Sequence, residues 1–159
     1  MTSRGIAPAL AVLLSALLAG CVETEEPSEP EAEPTAEAEP SDFEDLSGAE
    51  IPESAESVEV FSVGDIDSLP TYVATFTLPS EEDAKAFCAS GDIGNYFVVA
   101  DGELSEEEHE RHFIGGTELV DPWTCSSVKY GENVDRSVVF SFPEGERVSV
   151  WAVTEEVGW

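Results

Sequence analysis

Thr71-Tyr72-Val73-Ala74-Thr75-Phe76-Thr77-Leu78 decides the fold class. β-Branched and aromatic residues fill this run, and such side chains suit a pleated, half-buried surface. Its members alternate as a strand with one buried face requires. Tyr72, Ala74, Phe76 and Leu78 fall on the core face, and Thr71, Val73, Thr75 and Thr77 on the other. Just upstream, Ser57-Val58-Glu59-Val60-Phe61-Ser62-Val63 forms a second strand, ended by Gly64-Asp65. Just downstream, Pro79-Ser80-Glu81-Glu82-Asp83 starts a helix. Ser80 is its cap, and the acids suit the positive end of a helix dipole. Ala84, Phe87 and Cys88 recur at helical spacing, and Gly91 is the stop.

Working further outward, Tyr96-Phe97-Val98-Val99-Ala100 is a short strand broken by Asp101-Gly102. Ser105-Glu106-Glu107-Glu108 is a capping-box pattern, so a second helix runs from there to about Ile114 and ends at Gly115-Gly116. After a loop through Asp121-Pro122-Trp123, residues Thr124 to Tyr130 give another strand. Arg136 to Phe142 and Arg147 to Thr154 flank Pro143-Glu144-Gly145-Glu146, which is a hairpin signal. The order β-β-α-β-α-β-β predicts an α+β domain. Its sheet is small and mainly antiparallel, with about two helices on one face. A single domain over 57–159 has room for one modest core. No internal repeat is evident.

The chain changes character before this domain. Residues 21–56 are dominated by Pro, Glu, Ala, Ser and Thr, as in Glu29-Pro30-Glu31-Ala32-Glu33-Pro34. Such a segment buries too little apolar surface to offset its ordering entropy, so a disordered acidic linker is predicted. Fully extended, at roughly 3.1 Å per residue, it would reach about 110 Å; as a flexible coil it would average about 30–35 Å. Phe43 and Leu46 are its two sticky points, either for a partner or for packing back on the domain.

At the start, Arg4 precedes an apolar run from Ile6 to Ala19 interrupted only by Ser15. The run is shorter than the ~20 residues of a spanning helix. A charged start, a short apolar stretch and small residues describe a secretory signal peptide over 1–20. Leu18-Ala19-Gly20-Cys21 closes it, and this tetrad resembles the lipobox of bacterial lipoprotein precursors. The resemblance covers only these first 21 residues. It implies cleavage before Cys21, diacylglyceryl and acyl (palmitate-type) modification of Cys21, and a cell-membrane location facing outside the cytoplasm. Several acyl chains make a stable anchor where one does not.

With Cys21 assigned to lipid, Cys88 and Cys125 remain, an even pair in an exported domain. Disulfides persist outside the cytoplasm, so a Cys88–Cys125 bond is expected. Two buried free thiols, or a redox or nucleophilic cysteine, are the alternatives; there is no Cys-x-x-Cys to support redox chemistry.

All 35 acids lie after Cys21, whereas one of the six bases, Arg4, is lost with the signal. The mature chain therefore sets 35 acids against five bases, a formal charge of −30. Phosphate-backbone recognition needs clustered Lys and Arg, so nucleic acid is excluded as a simple partner. Anionic membrane surfaces are equally unsuited to contact by the protein itself. The charge fits a solvated surface, a saline or cation-rich surrounding, or a basic partner.

Motifs for chemistry are few. In Glu106-Glu107-Glu108-His109-Glu110-Arg111-His112, His109 and His112 share a helix face at i and i+3 and are weak candidates for zinc or copper. A zinc-protease helix needs His-Glu-x-x-His, one residue longer. The competing expectation is a solvated face with two surface histidines, their pKa values raised by nearby carboxylates. Asp65-Ile66-Asp67 and Asp101-Gly102-Glu103 offer oxygen pairs for calcium, but neither matches the twelve-residue calcium loop. Trp123, Trp151 and Trp159 are candidates for a sugar or peptide groove, or for core-edge packing. No serine-nucleophile elbow, phosphate-cradling loop or dinucleotide fingerprint occurs. The expectation is a lipid-anchored envelope lipoprotein without catalysis or cofactor, binding a ligand or an envelope protein. Metal or cation handling is the alternative, and an envelope enzyme is the third.

Overall fold

The computed structural model describes residues 34–64 and 68–158. The expected signal peptide over 1–20, the lipidation candidate Cys21, the first part of the expected linker, Asp65-Ile66-Asp67 and Trp159 lie outside the described residues. Elements in chain order are β1 (Pro34–Glu37), α1 (Pro40–Ser47), β2 (Glu56–Val63), β3 (Thr71–Leu78), α2 (Glu81–Ser90) and β4 (Asn95–Val98). They continue with α3 (Glu106–Arg111), β5 (Trp123–Lys129), β6 (Val134–Ser141) and β7 (Val148–Glu156). The fold is α+β, as expected. Its seven strands form one sheet in the order β1-β2-β3-β7-β6-β5-β4, with every neighbouring pair antiparallel. Among the described residues no helix is long and apolar enough to cross a membrane.

The deciding stretch lies near the middle. β3 pairs with β7 along its whole length, from Thr71 opposite Glu155 to Leu78 opposite Val148. Ala74, Phe76 and Leu78 are buried, and Tyr72 packs half-buried against the same cluster. Cross-strand partners on this face are Val150 and Ala152 of β7, which in turn oppose Phe140 and Val138 of β6. α2 covers them with Ala84, Phe87 and Cys88; Phe87 meets Phe76 edge to face at 5.2 Å. The N-cap of α2 is Ser80, whose Oγ accepts from the Asp83 N–H, and Gly91 ends it. The disulfide between Cys88 of α2 and Cys125 of β5 ties helix to sheet across a separation of 37 residues.

Two expectations are corrected. Against the expected linker over 21–56, β1 and α1 belong to the fold. Phe43 of α1 is buried in the core with Ala49, and Ala49 sits so close to Gly91 that a Cβ there would approach its methyl to 2.6 Å. Pro40 opens α1, the Asp42 carboxylate accepts the Glu39 N–H, and Gly48 closes it at a φ of 72°. Local capping and one large apolar side chain thus outweigh an acidic composition. Two helices do lie on one face, but they are α1 and α2. α3 is on the other face, because the sheet has a second apolar side. Val73 opposes Val153, which opposes Ser137, and the His112 ring that follows α3 bonds the Ser137 hydroxyl.

Arg136 locks the first face. Its guanidinium donates to the carbonyls of Ser47, Gly91 and Asp92 and to the Ser127 hydroxyl, while only 4% of the residue is exposed. One side chain of β6 thereby satisfies the carbonyl ends of both α1 and α2.

Candidate functional site

β4 is a sheet edge: among the described residues it pairs with β5 alone. Its register places Tyr96 opposite Cys125, Phe97 opposite Thr124 and Val98 opposite Trp123. The Val99 N–H donates to the Pro122 carbonyl, in step with that register. Antiparallel pairs alternate between bonded and non-bonded, so the Phe97 backbone faces β5. The N–H and C=O of Tyr96 and Val98 face outward.

The side chains make this edge apolar on both sides. Val98 is 62% exposed on the side of Trp123, and Phe97 is 54% exposed on the opposite side. Other exposed apolar residues, such as Val58, Leu69, Val120 and Tyr130, come from separate stretches of chain. Behind Val98 stands an aromatic cluster. Tyr96 lies 4.6 Å from Trp123 and 5.5 Å from Phe140, centroid to centroid. The Lys85 ammonium of α2 sits over both rings, 5.5 Å from Tyr96 and 5.4 Å from Trp123, and is paired with Glu81 at 2.6 Å. Such a cation over an aromatic face holds the platform in place. Burial, and then the Glu81 carboxylate, push the Tyr96 hydroxyl above its ordinary pKa.

The opposite edge, β1, is built otherwise. It reads Pro34-Thr35-Ala36-Glu37, with Glu37 exposed. Proline offers no N–H, and charge discourages strand addition.

The histidine pair is not brought together as a metal site. His112 is buried, its Nδ1 is 2.8 Å from the Glu108 carbonyl and its Nε2 is 3.0 Å from the Ser137 hydroxyl. Both ring nitrogens are thereby engaged. The expectation of two surface histidines with raised pKa fails for His112: burial lowers its pKa, and the Glu108 carbonyl only partly offsets this. The side chain acts as a strut between the C-terminus of α3 and β6. His109 is half-buried. No group of three or more metal-ligating side chains occurs among the described residues. Residues 100–102 form a single 3-10 turn, in keeping with Asp101-Gly102 as the break after the β4 strand. Trp123 belongs to the aromatic cluster and Trp151 is half-buried opposite Val139.

All five bases among the described residues have partners. Lys85 pairs with Glu81, Arg111 with Asp135 and Glu155, Lys129 with Glu132, and Arg147 with Glu56; Arg136 is consumed inside. The surplus carboxylates therefore set the sign of the surface.

Sequence reasoning placed the β4 strand but missed that it is an edge. The chain matches no protein-family model, and no curated protein or solved structure matches it significantly.

Proposed function

We propose that this chain is a lipid-anchored lipoprotein of the cell envelope, held by acyl chains on Cys21 and facing outside the cytoplasm. Its folded domain is a non-catalytic module that binds an envelope protein or another ligand. The observation that carries the assignment is the Leu18-Ala19-Gly20-Cys21 tetrad at the end of a short apolar run. The Cys88–Cys125 disulfide supports it, because such bonds persist outside the reducing cytoplasm. The binding reading is supported by the open apolar edge of β4 and by the want of a nucleophile motif in the sequence.

Metabolic labelling with an alkyne palmitate tests the anchor. Wild-type precursor is expected to take label and fractionate with membranes, and Cys21→Ala to remain unlabelled and unprocessed at that site. Equal labelling of the two would end the assignment. Turnover of a wall-derived substrate by the purified protein would replace the non-catalytic reading with an enzymatic one.

A further inference from the structure

We propose that the open edge of β4 captures an extended, lysine- or arginine-rich segment of a partner protein, adding it to the sheet as a further strand. This deepens the binding-module reading and rests on it. Strand addition requires outward backbone donors and acceptors, and Tyr96 and Val98 supply two of each. It also requires side-chain contacts that alternate between faces. Phe97 waits on one face and Val98 on the other, so a segment with consecutive apolar residues at its centre fits best.

Charge selects the occupant. A second copy would bring another −30 charges to the same edge, and each copy has its five bases already paired. The Glu- and Pro-rich segment before β1 is equally ill suited. It has the wrong sign, its prolines lack donors, and β1 is six strand spacings from β4, about 29 Å. A segment with basic flanks meets neither objection. Beside the edge, Lys85 is neutralised by Glu81 at 2.6 Å, so the chain's surplus of carboxylates sets the sign that an approaching segment meets. Basic flanks also raise the association rate by steering.

The test uses the full lipoprotein in detergent and a labelled nine-residue peptide. The peptide has Thr-Val-Val-Val-Thr at its centre and two lysines at each end. A second peptide replaces the first and third valines by proline at unchanged charge, and a third replaces the lysines by glutamates. Fluorescence anisotropy is expected to show binding of the first, with the other two at least tenfold weaker. Val98→Pro deletes one outward N–H without altering charge and is expected to weaken binding at least tenfold. Phe97→Ser, which keeps that N–H, is expected to weaken it several-fold. Both variants are first checked for wild-type melting. On binding, amide exchange at Tyr96 and Val98 should slow at least tenfold, while Phe97 changes little.

Equal affinity for the valine and proline peptides would reduce the effect to bulk charge and overturn the proposal. So would binding untouched by both variants, or no binding of the valine peptide at millimolar concentration. A concentration-dependent dimer in sedimentation, lost in Val98→Pro, would make a second copy the occupant and overturn it too. None of these outcomes alters labelling of Cys21. A defined envelope partner that binds Val98→Pro normally would keep the module reading while removing this edge from it.

Discussion

Strand β1 ends the sheet with Pro34-Thr35-Ala36-Glu37, whereas β4 ends it with Asn95-Tyr96-Phe97-Val98. Both are four residues long, both pair on one side only among the described residues, and both belong to one antiparallel sheet. The first has a residue without an N–H and an exposed carboxylate, which are common guards against unwanted strand addition. The second has only its shortness. Edges left unguarded invite pairing, and a chain with a formal charge of −29 suppresses pairing with itself by repulsion. The contrast therefore teaches that global charge can do for one edge what local residues do for the other, while leaving that edge open to a partner of opposite sign.

The guarded edge depends on α1, and the largest expected effect lies there. Phe43→Ala removes a fully buried ring from the core and should cost about 3–5 kcal/mol in urea unfolding. If residues 34–49 were a linker, the same change would cost nothing measurable.

The open edge is held from one strand inward. Cys125 of β5 is bonded to Cys88, and the bond closes 37 residues. Reduction, or Cys88→Ala with Cys125→Ala, should lower stability by about 3–4 kcal/mol. Titration of the unfolded, non-reduced protein should find neither thiol reactive; two reactive thiols there would remove the bond from the account.

How far the sequence reveals this contrast depends on the range of the signals. Ser80 and Gly91 bound α2 as expected, and Ser105 with Glu108 starts α3, because caps are local chemistry. Tyr72, Ala74, Phe76 and Leu78 face the core because strand alternation is local too. Pro40 and Gly48 frame α1 by the same rules, but the surrounding Glu and Pro masked about two turns of amphipathic helix around Phe43. The edges were not legible. Which strand ends a sheet is decided by the pairing of β3 with β7, some eighty residues apart in the chain. The surface reading of His112 fails, and the buried role of Arg136 is not legible, for the same reason: their partners, Ser137 and Ser47, are set by tertiary packing.

α3 lies in the connection from β4 to β5, and His112 fastens it to the sheet. His112→Ala leaves the Ser137 hydroxyl without its partner and should cost about 1–3 kcal/mol at pH 7.5. The pH dependence has a definite sign. Burial holds the folded His112 pKa below its ordinary 6.5, so the unfolded chain binds the proton first on acidification. This residue's contribution is complete above about pH 6.5 and is lost as pH falls below it. Unfolding curves of wild type and His112→Ala should therefore converge between pH 7.5 and 5. A gap that widens on acidification would mean that the imidazole is stabilised in its charged form.

Neighbouring residues of β4 give the finest test of the edge itself. The Phe97 N–H points at β5, whereas the Val98 N–H points away from the sheet. Phe97→Pro removes a ladder bond and should cost about 1 kcal/mol or somewhat more. Val98→Pro removes a donor that no strand uses, and edge strands tolerate proline there, so its cost should stay within about 0.5 kcal/mol. Equal losses would mean that the outward groups of β4 are already engaged. A reversed order would mean that the register is shifted by one residue, which would turn Phe97 toward the aromatic cluster and Val98 away from it. The expected order, with Val98→Pro silent in stability, leaves the outward edge free to respond only when a second strand is supplied.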